Sequence, residues 1–273
     1  MLRPAEKRIR YSKENTGLRI DTYFYRHMKK LLLFFSITVL FFACRKEPIS
    51  DPYSLPDSYS NQSLGKSAND MLSAATYTTL NIQVQYMPGY QPDPESINNL
   101  RLFLNNLCNK PGGITITQSQ IPAGSDTLDP SKVAALEKQN RTAYTGGNIL
   151  ALYIMVTDGY DTSENTLGIA YRNTSVCLFG KNISDNSGGV GQITRVALET
   201  SVLEHEIGHI LGLVNKGTPL ETAHQDATHG NHCNNPKCLM YYAIELHKGL
   251  GMLAAIPALD SNCRADLRAN GGK

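Results

Sequence analysis

Two histidines four apart, with a glutamate directly after the first, make His205-Glu206-Ile207-Gly208-His209 the stretch of this 273-residue chain best equipped for chemistry. On a helix, residues i and i+4 share a face, so both imidazoles can reach one cation. Glu206 is not placed to share that cation symmetrically. It can instead hold and deprotonate a water there, which is the role of a general base in metal-assisted hydrolysis. Gly212 permits a sharp left-handed exit, so the chain can turn back beneath the metal. The bland alternative is two surface histidines on an amphipathic helix. Ile193, Val196, Leu203, Ile207, Ile210 and Val214 recur at helical spacing and predict a buried stripe. His205 and His209 lie off that stripe, beside Leu198 and Val202, on a face that could border a cleft.

A hydrolytic zinc site takes three protein ligands and leaves the fourth position to water. Three residues after Gly212 stands Asn215, whose neutral amide oxygen is a poor zinc ligand beside imidazole. Further on come His224, Asp226, His229 and His232, then Cys233, Cys238 and Met240. The run from His232 to Met240 resembles the archaemetzincin pattern. There the third histidine is followed at once by cysteine, then four residues, a second cysteine, one residue and methionine.

The resemblance covers Val202 to Tyr242 well and the rest of the chain in outline. It implies a metzincin-like zinc endopeptidase with about seventeen extra residues between the helix exit and the third ligand. By that resemblance His232 is the third ligand and Met240 the methionine of the turn beneath the metal. Tyr242 then stands where astacin- and serralysin-like metzincins carry a tyrosine that can stabilise the oxyanion. His224, Asp226 and His229 stay open as rival third ligands. A gluzincin arrangement would draw Glu221 or Glu245 from a second helix, leaving the Gly212 exit and the methionine-tyrosine turn as coincidences.

The amino-terminal part reads differently. Residues 1–27 are polar and basic, an upstream extension with Met28 as the expected start of translation. Met28-Lys29-Lys30 opens an apolar run from Leu31 to Ala43, too short for a comfortable membrane span and ending at Cys44. Residues 28–43 thus resemble a bacterial lipoprotein signal, with cleavage before Cys44 and lipid on its sulfur. The expected location is the cell envelope, tethered to a membrane by that lipid. Residues 1–30 carry nine Lys or Arg against three Asp or Glu, so their removal takes the net charge from +2 to about −4. A mildly acidic chain of that kind gives no reason to expect nucleic-acid binding.

Outside the cytoplasm thiols oxidise. Archaemetzincins join their cysteine pair to a later Cys-x-x-Cys around a second, structural zinc, whereas only Cys263 follows here. A single catalytic Zn2+ is therefore expected, with a local disulfide between Cys233 and Cys238. Cys108, Cys177 and Cys263 are left unassigned.

The elements that must position these residues follow from periodicity. Residues 44–76 are rich in Ser, Asp, Asn, Pro and Tyr and read as a flexible spacer before a domain at 77–273. Leu80, Ile82, Val84 and Tyr86 alternate as a strand does. Asp93-Pro94 and Asp129-Pro130 each cap and open a helix. Ile114–Thr117, Asn148–Val156 and one or two segments within Leu167–Phe179 predict further strands, and Asp260 predicts a last helical cap. The succession argues an α/β (α+β) fold: a mixed sheet with packed helices, an active-site helix and a smaller, irregular carboxy-terminal subdomain. An edge strand somewhere in 167–180 would receive an extended protein or peptide substrate by strand addition, as in metzincins. The competing function is a non-catalytic zinc-binding surface protein that keeps the fold, with Asn215 and the inserted loop in its support.

Overall fold

Leu80, Ile82 and Val84 alternate along β1 (Thr79–Tyr86), and in the computed structural model of the chain all three are fully buried. The structure describes residues 52–124, 127–162, 165–246 and 255–273. The upstream extension, the signal run and Cys44 lie outside the described residues. Among those described, no helix is long and apolar enough to cross a membrane.

β2 (Ile114–Gln120) and β4 (Ile149–Thr157) flank β1 in parallel. β7 (Ser175–Phe179) continues in parallel beside β4, and β6 (Gly168–Arg172) runs antiparallel to β7 at the sheet's margin. The order β2-β1-β4-β7-β6 gives the mixed, mostly parallel sheet that the alternating elements predict. A short separate ladder joins β3 (Thr127–Leu128) to β5 (Tyr160–Asp161).

Helices cover both faces. They are α1 (Ala68–Leu72), α2 (Pro94–Leu107), α3 (Pro130–Asn140), α4 (Gly180–Asp185), α5 (Arg195–Ile210) and α6 (Ser261–Ala269). Asp93, Asp129 and Asp260 cap α2, α3 and α6, each accepting a hydrogen bond from a first-turn amide. The central strand β4 shows how the layers divide. Leu150, Leu152, Ile154 and Val156 face α2 and α5, while Tyr153 and Met155 face Leu128, Val133, Cys177 and Phe179 on the α3 side. A strand buried on both faces needs the near-continuous apolar run found here.

The spacer reading of residues 44–76 is corrected from Pro52 onward; residues 44–51 lie outside the described part. One compact unit runs from Pro52 to Lys273. Leu55, Ala68, Met71 and Leu72 are buried. The buried Lys110 ammonium donates to the carbonyls of Asp70, Ser73 and Tyr77 at 2.6, 2.5 and 2.7 Å. Apolar residues that arrive singly or in pairs leave no period to read. The part after α5 is irregular, as expected: a 3-10 turn at Tyr242–Ile244 and α6 are its only helical pieces among the described residues.

Candidate active site

Helix α5 carries the site because it is anchored at both ends. Thr194 caps it through a side-chain bond from the Ala197 amide, 3.2 Å. Buried Glu199 accepts from the Asp93 amide at 2.8 Å, tying α5 to the start of α2. Every residue from Leu198 to Ile210 is buried, so the predicted apolar stripe is one part of a helix enclosed all round. His209 lines the cleft, while His205 lies fully buried behind it.

At its end the helix leaves through Gly212, at φ 75°. A Cβ there would lie 2.7 Å from both the Ala68 Cβ and the Thr218 nitrogen, so glycine is needed for space as well as for the turn. Val214 and Asn215 follow, also left-handed at φ 54° and 62°. Asn215 thus serves a turn that asparagine tolerates, and supplies no ligand. Left-handed backbone at a β-branched residue is costly, and the turn is held by the Lys216 and Thr218 amides, which both donate to the Gly212 carbonyl.

Three imidazoles converge beyond this exit. Ring centroids of His205, His209 and His232 are 4.8, 5.3 and 5.1 Å apart, a near-equilateral triangle. The Nδ1–H of His205 donates to the Leu239 carbonyl and that of His232 to the His229 carbonyl, each at 2.7 Å. Those bonds fix the tautomer and turn both Nε2 lone pairs inward. The Nε2 atoms of His205 and His209 face each other at 3.2 Å, and His232 Nε2, though buried, has no hydrogen-bond partner. A cation would satisfy the inward lone pairs of His205 and His232, and His209 would join them with its proton on the unpartnered Nδ1, so the donor set fits zinc. Burial first, then His205 and His232, depresses the basicity of His209 well below normal, which favours the neutral form that ligates.

The rival ligands are engaged elsewhere. His224 holds Asp266 through Nε2 at 2.7 Å, and Asp226 pairs with His229 at 2.9 Å. Glu206 lies beside the triangle with Oε1 unpartnered. Burial, and secondly Glu245, push its carboxyl well above the usual range, while an Ala170 backbone bond favours the carboxylate. A bound dication would reverse the balance toward the ionised base.

An open pocket of about 170 Å³ gives access, walled by Glu206, His209, His232 and Glu245 together with Ile169 and Ala170 of β6. The unassigned edge within 167–180 is therefore β6. Leu64, from the segment misread as spacer, lines the same pocket.

Met240 is fully buried beneath α5, and Gly208 is the residue it meets. A Cβ on Gly208 would stand 2.2 Å from the Met240 sulfur and 3.1 Å from its methyl. Gly208→Ala gains about 1 kcal/mol of helix propensity. It must also overpack an enclosed methionine, which costs about 1–3 kcal/mol. Thermal unfolding should show a net loss of stability; a raised melting temperature would separate Met240 from the support of the helix.

The Tyr242 ring stacks on His229, centroids 3.5 Å apart and 4° from parallel, and Tyr242 is not among the residues that line the pocket. Glu245, weighed in the sequence only for a different ligand arrangement, does reach the imidazoles: its oxygens lie 3.8 Å from His205 Nε2 and 3.5 Å from His232 Nε2.

The expected Cys233–Cys238 disulfide is not formed, and all five described cysteines are free thiols. Both cysteines instead join a wider cluster, in which Cys238 interacts with Cys233 and Cys263 alike. Cys238 faces Cys263 at 3.6 Å between sulfurs, while Cys233 approaches Asp260 at 3.3 Å and His224 at 3.4 Å. Donor atoms of Cys233, Cys238, Asp260 and Cys263 all lie within 4.8 Å of one another. Hydrogen bonds with Cys233, then Cys263, pull the Cys238 thiol down to about 4. Three thiols and a carboxylate so grouped suit a structural metal, which would hold the sulfurs as thiolates. The structure thus offers two donor groups, where the sequence reading expected one ion.

No family model matches the chain, and no curated protein matches it in sequence. Similar solved structures include an archaemetzincin from Methanopyrus kandleri, at 13% identity and a TM-score of 0.42, over 72% of this chain and 96% of that one. Metalloproteinase-II from Bacteroides fragilis is similar at 14% identity and a TM-score of 0.40, over 81% of this chain and 58% of that one.

Proposed function

We propose that this chain is a zinc-dependent endopeptidase of the metzincin kind, acting on polypeptide laid in extended form against the free edge of β6. The observation that carries the reading is the convergence of three imidazoles beside a buried glutamate with one oxygen unpartnered, at the wall of an open pocket that includes an edge strand.

His205, His209 and His232 would hold the ion. When bound, zinc lowers the pKa of a water to about 7 and polarises a carbonyl. The protein residues do the rest. Glu206, from the α5 side of the pocket, accepts the proton of the attacking water on its carboxylate and returns it to the leaving amine. β6 aligns the substrate by backbone hydrogen bonds, and the pocket beside it receives a side chain. Tyr242 would have to leave His229 before it could donate to an oxyanion. The thiolate set would hold a second, structural ion. It braces the loop that bears His232 and Met240, because the Cys233 amide donates to the Met240 carbonyl at 2.7 Å and the Met240 amide to the Cys238 sulfur. A lipid on Cys44 would hold the domain at an envelope membrane and restrict its substrates to proteins and peptides on that side.

One observation favours the second reading, a zinc-binding protein without catalysis: the Glu245 carboxylate lies 3.8 and 3.5 Å from two of the three ligating nitrogens, close enough to compete with a water for the ion. A chelator decides between them. The full chain should cleave an unstructured protein, lose that activity in a zinc chelator and regain it with added zinc. Zinc binding without any cleavage would establish the second reading.

A further inference from the structure

The Glu245 carboxylate occupies a place that ordinary hydrogen bonding does not explain. The protons of His205 and His232 sit on Nδ1, held by the Leu239 and His229 carbonyls. The Nε2 atoms that face Glu245 are therefore lone pairs. A carboxylate set against two lone pairs is repelled unless a cation or a proton lies between them. The separations of 3.8 and 3.5 Å are also too long for hydrogen bonds.

They do match donors around one metal ion. With bonds of about 2.0–2.1 Å, a tetrahedral zinc holds its ligand atoms roughly 3.3–3.4 Å apart. The observed approaches are 3.2 Å for His205–His209, 3.5 Å from His232 to Glu245 Oε1 and 3.8 Å from His205 to Glu245 Oε2, so the carboxylate spans the two imidazoles with one oxygen toward each. All four donor atoms lie within 4.8 Å of one another.

We propose that Glu245 is a fourth protein ligand of the ion held by His205, His209 and His232. The resting site is then closed to water and opens when the Glu245 carboxylate is displaced. Four protein ligands mark a closed zinc site, three an open one. The backbone of Glu245 is fixed, since its carbonyl accepts from the Leu167 amide at 2.9 Å and Leu246 bridges to Thr166. Its side chain, by contrast, is 27% exposed in the pocket wall, so rotation alone can free the position. Leu167 immediately precedes β6, so a substrate aligned on that strand passes beside Glu245. Substrate binding and opening are thereby coupled. The inference rests on the three-histidine site and not on the peptidase step.

The test uses the full chain loaded with cobalt in place of zinc and titrated with azide, which binds a metal only at an exchangeable position. Wild type should bind azide at least about tenfold more weakly than Glu245→Ala and Glu245→Gln, and both variants should release zinc more readily, with a dissociation constant raised about tenfold or more. The glutamine variant keeps the size of the side chain, which separates ligation from packing. Equal azide affinity in all three proteins would overturn the proposal and leave the three-histidine site standing. Failure of wild type to bind either metal would overturn both.

Discussion

Glu206→Gln is expected to keep its active-site zinc while peptide turnover falls about 10²–10⁴-fold, the usual worth of a positioned general base. The structure makes the substitution clean. Glu206 lies buried beside the imidazole triangle, and one of its oxygens, Oε1, has no partner. The glutamine amide has the same shape, and its oxygen can still accept from Ala170. The three imidazoles are oriented by α5 and by the Leu239 and His229 carbonyls, none of which depends on Glu206. Metal content should therefore match wild type, and only proton transfer should be lost. The measurement pairs zinc per chain with kcat on an unstructured substrate. A variant that retains kcat within about tenfold would remove Glu206 from the role of base and leave Glu245 as the remaining carboxylate in the pocket. Loss of zinc together with activity would instead assign Glu206 to holding the ion.

What the sequence made legible is what local geometry dictates. Two histidines and a glutamate within one helical turn can be read without a fold, because helical spacing alone puts the histidines on one face. The caps Asp93, Asp129 and Asp260 are equally local, and all three mark real helix starts. Gly212 was readable as an exit for the same reason. Gly208 was not, since its need arises from Met240, thirty-two residues later and beneath the helix. Glu245 was legible only as the ligand of a gluzincin arrangement: a carboxylate forty residues beyond His205 is brought to it beside His232, with its backbone anchored by the Leu167 amide at the mouth of β6. The thiol cluster shows the hazard of reading spacing alone. Cys233 and Cys238 are close in sequence, yet Cys238 also meets a third sulfur, that of Cys263, which α6 delivers from twenty-five residues on. In residues 52–76 the polar composition concealed burial, because the ordering contacts come from Lys110 and Asn173, far along the chain.

His232→Ala should cost the chain one zinc ion. His232 is the one triangle member outside α5, and its Nδ1 bond to the His229 carbonyl aims Nε2 inward. No neighbour can replace it. His224 is held between Asp266 and Cys233, and Asp226 is paired with His229, so each rival would have to break an existing bond to reach the ion. Removing a direct ligand should weaken affinity by about a hundredfold or more, since losing even an outer partner costs 10–100-fold. The two donor groups make the count informative. If both are filled, His232→Ala loses the ion of the histidine triangle, and Cys238→Ser loses the ion of the thiolates. Cysteine-selective labelling then reports which remains, because metal-bound thiolates resist modification. Zinc retained at full stoichiometry in His232→Ala, with thiols still protected, would sink the assignment of the third ligand. Loss of both ions from that single change would mean that the loop from His232 to Met240 folds only around its metals, with Cys233 and its immediate neighbour His232 ordered together.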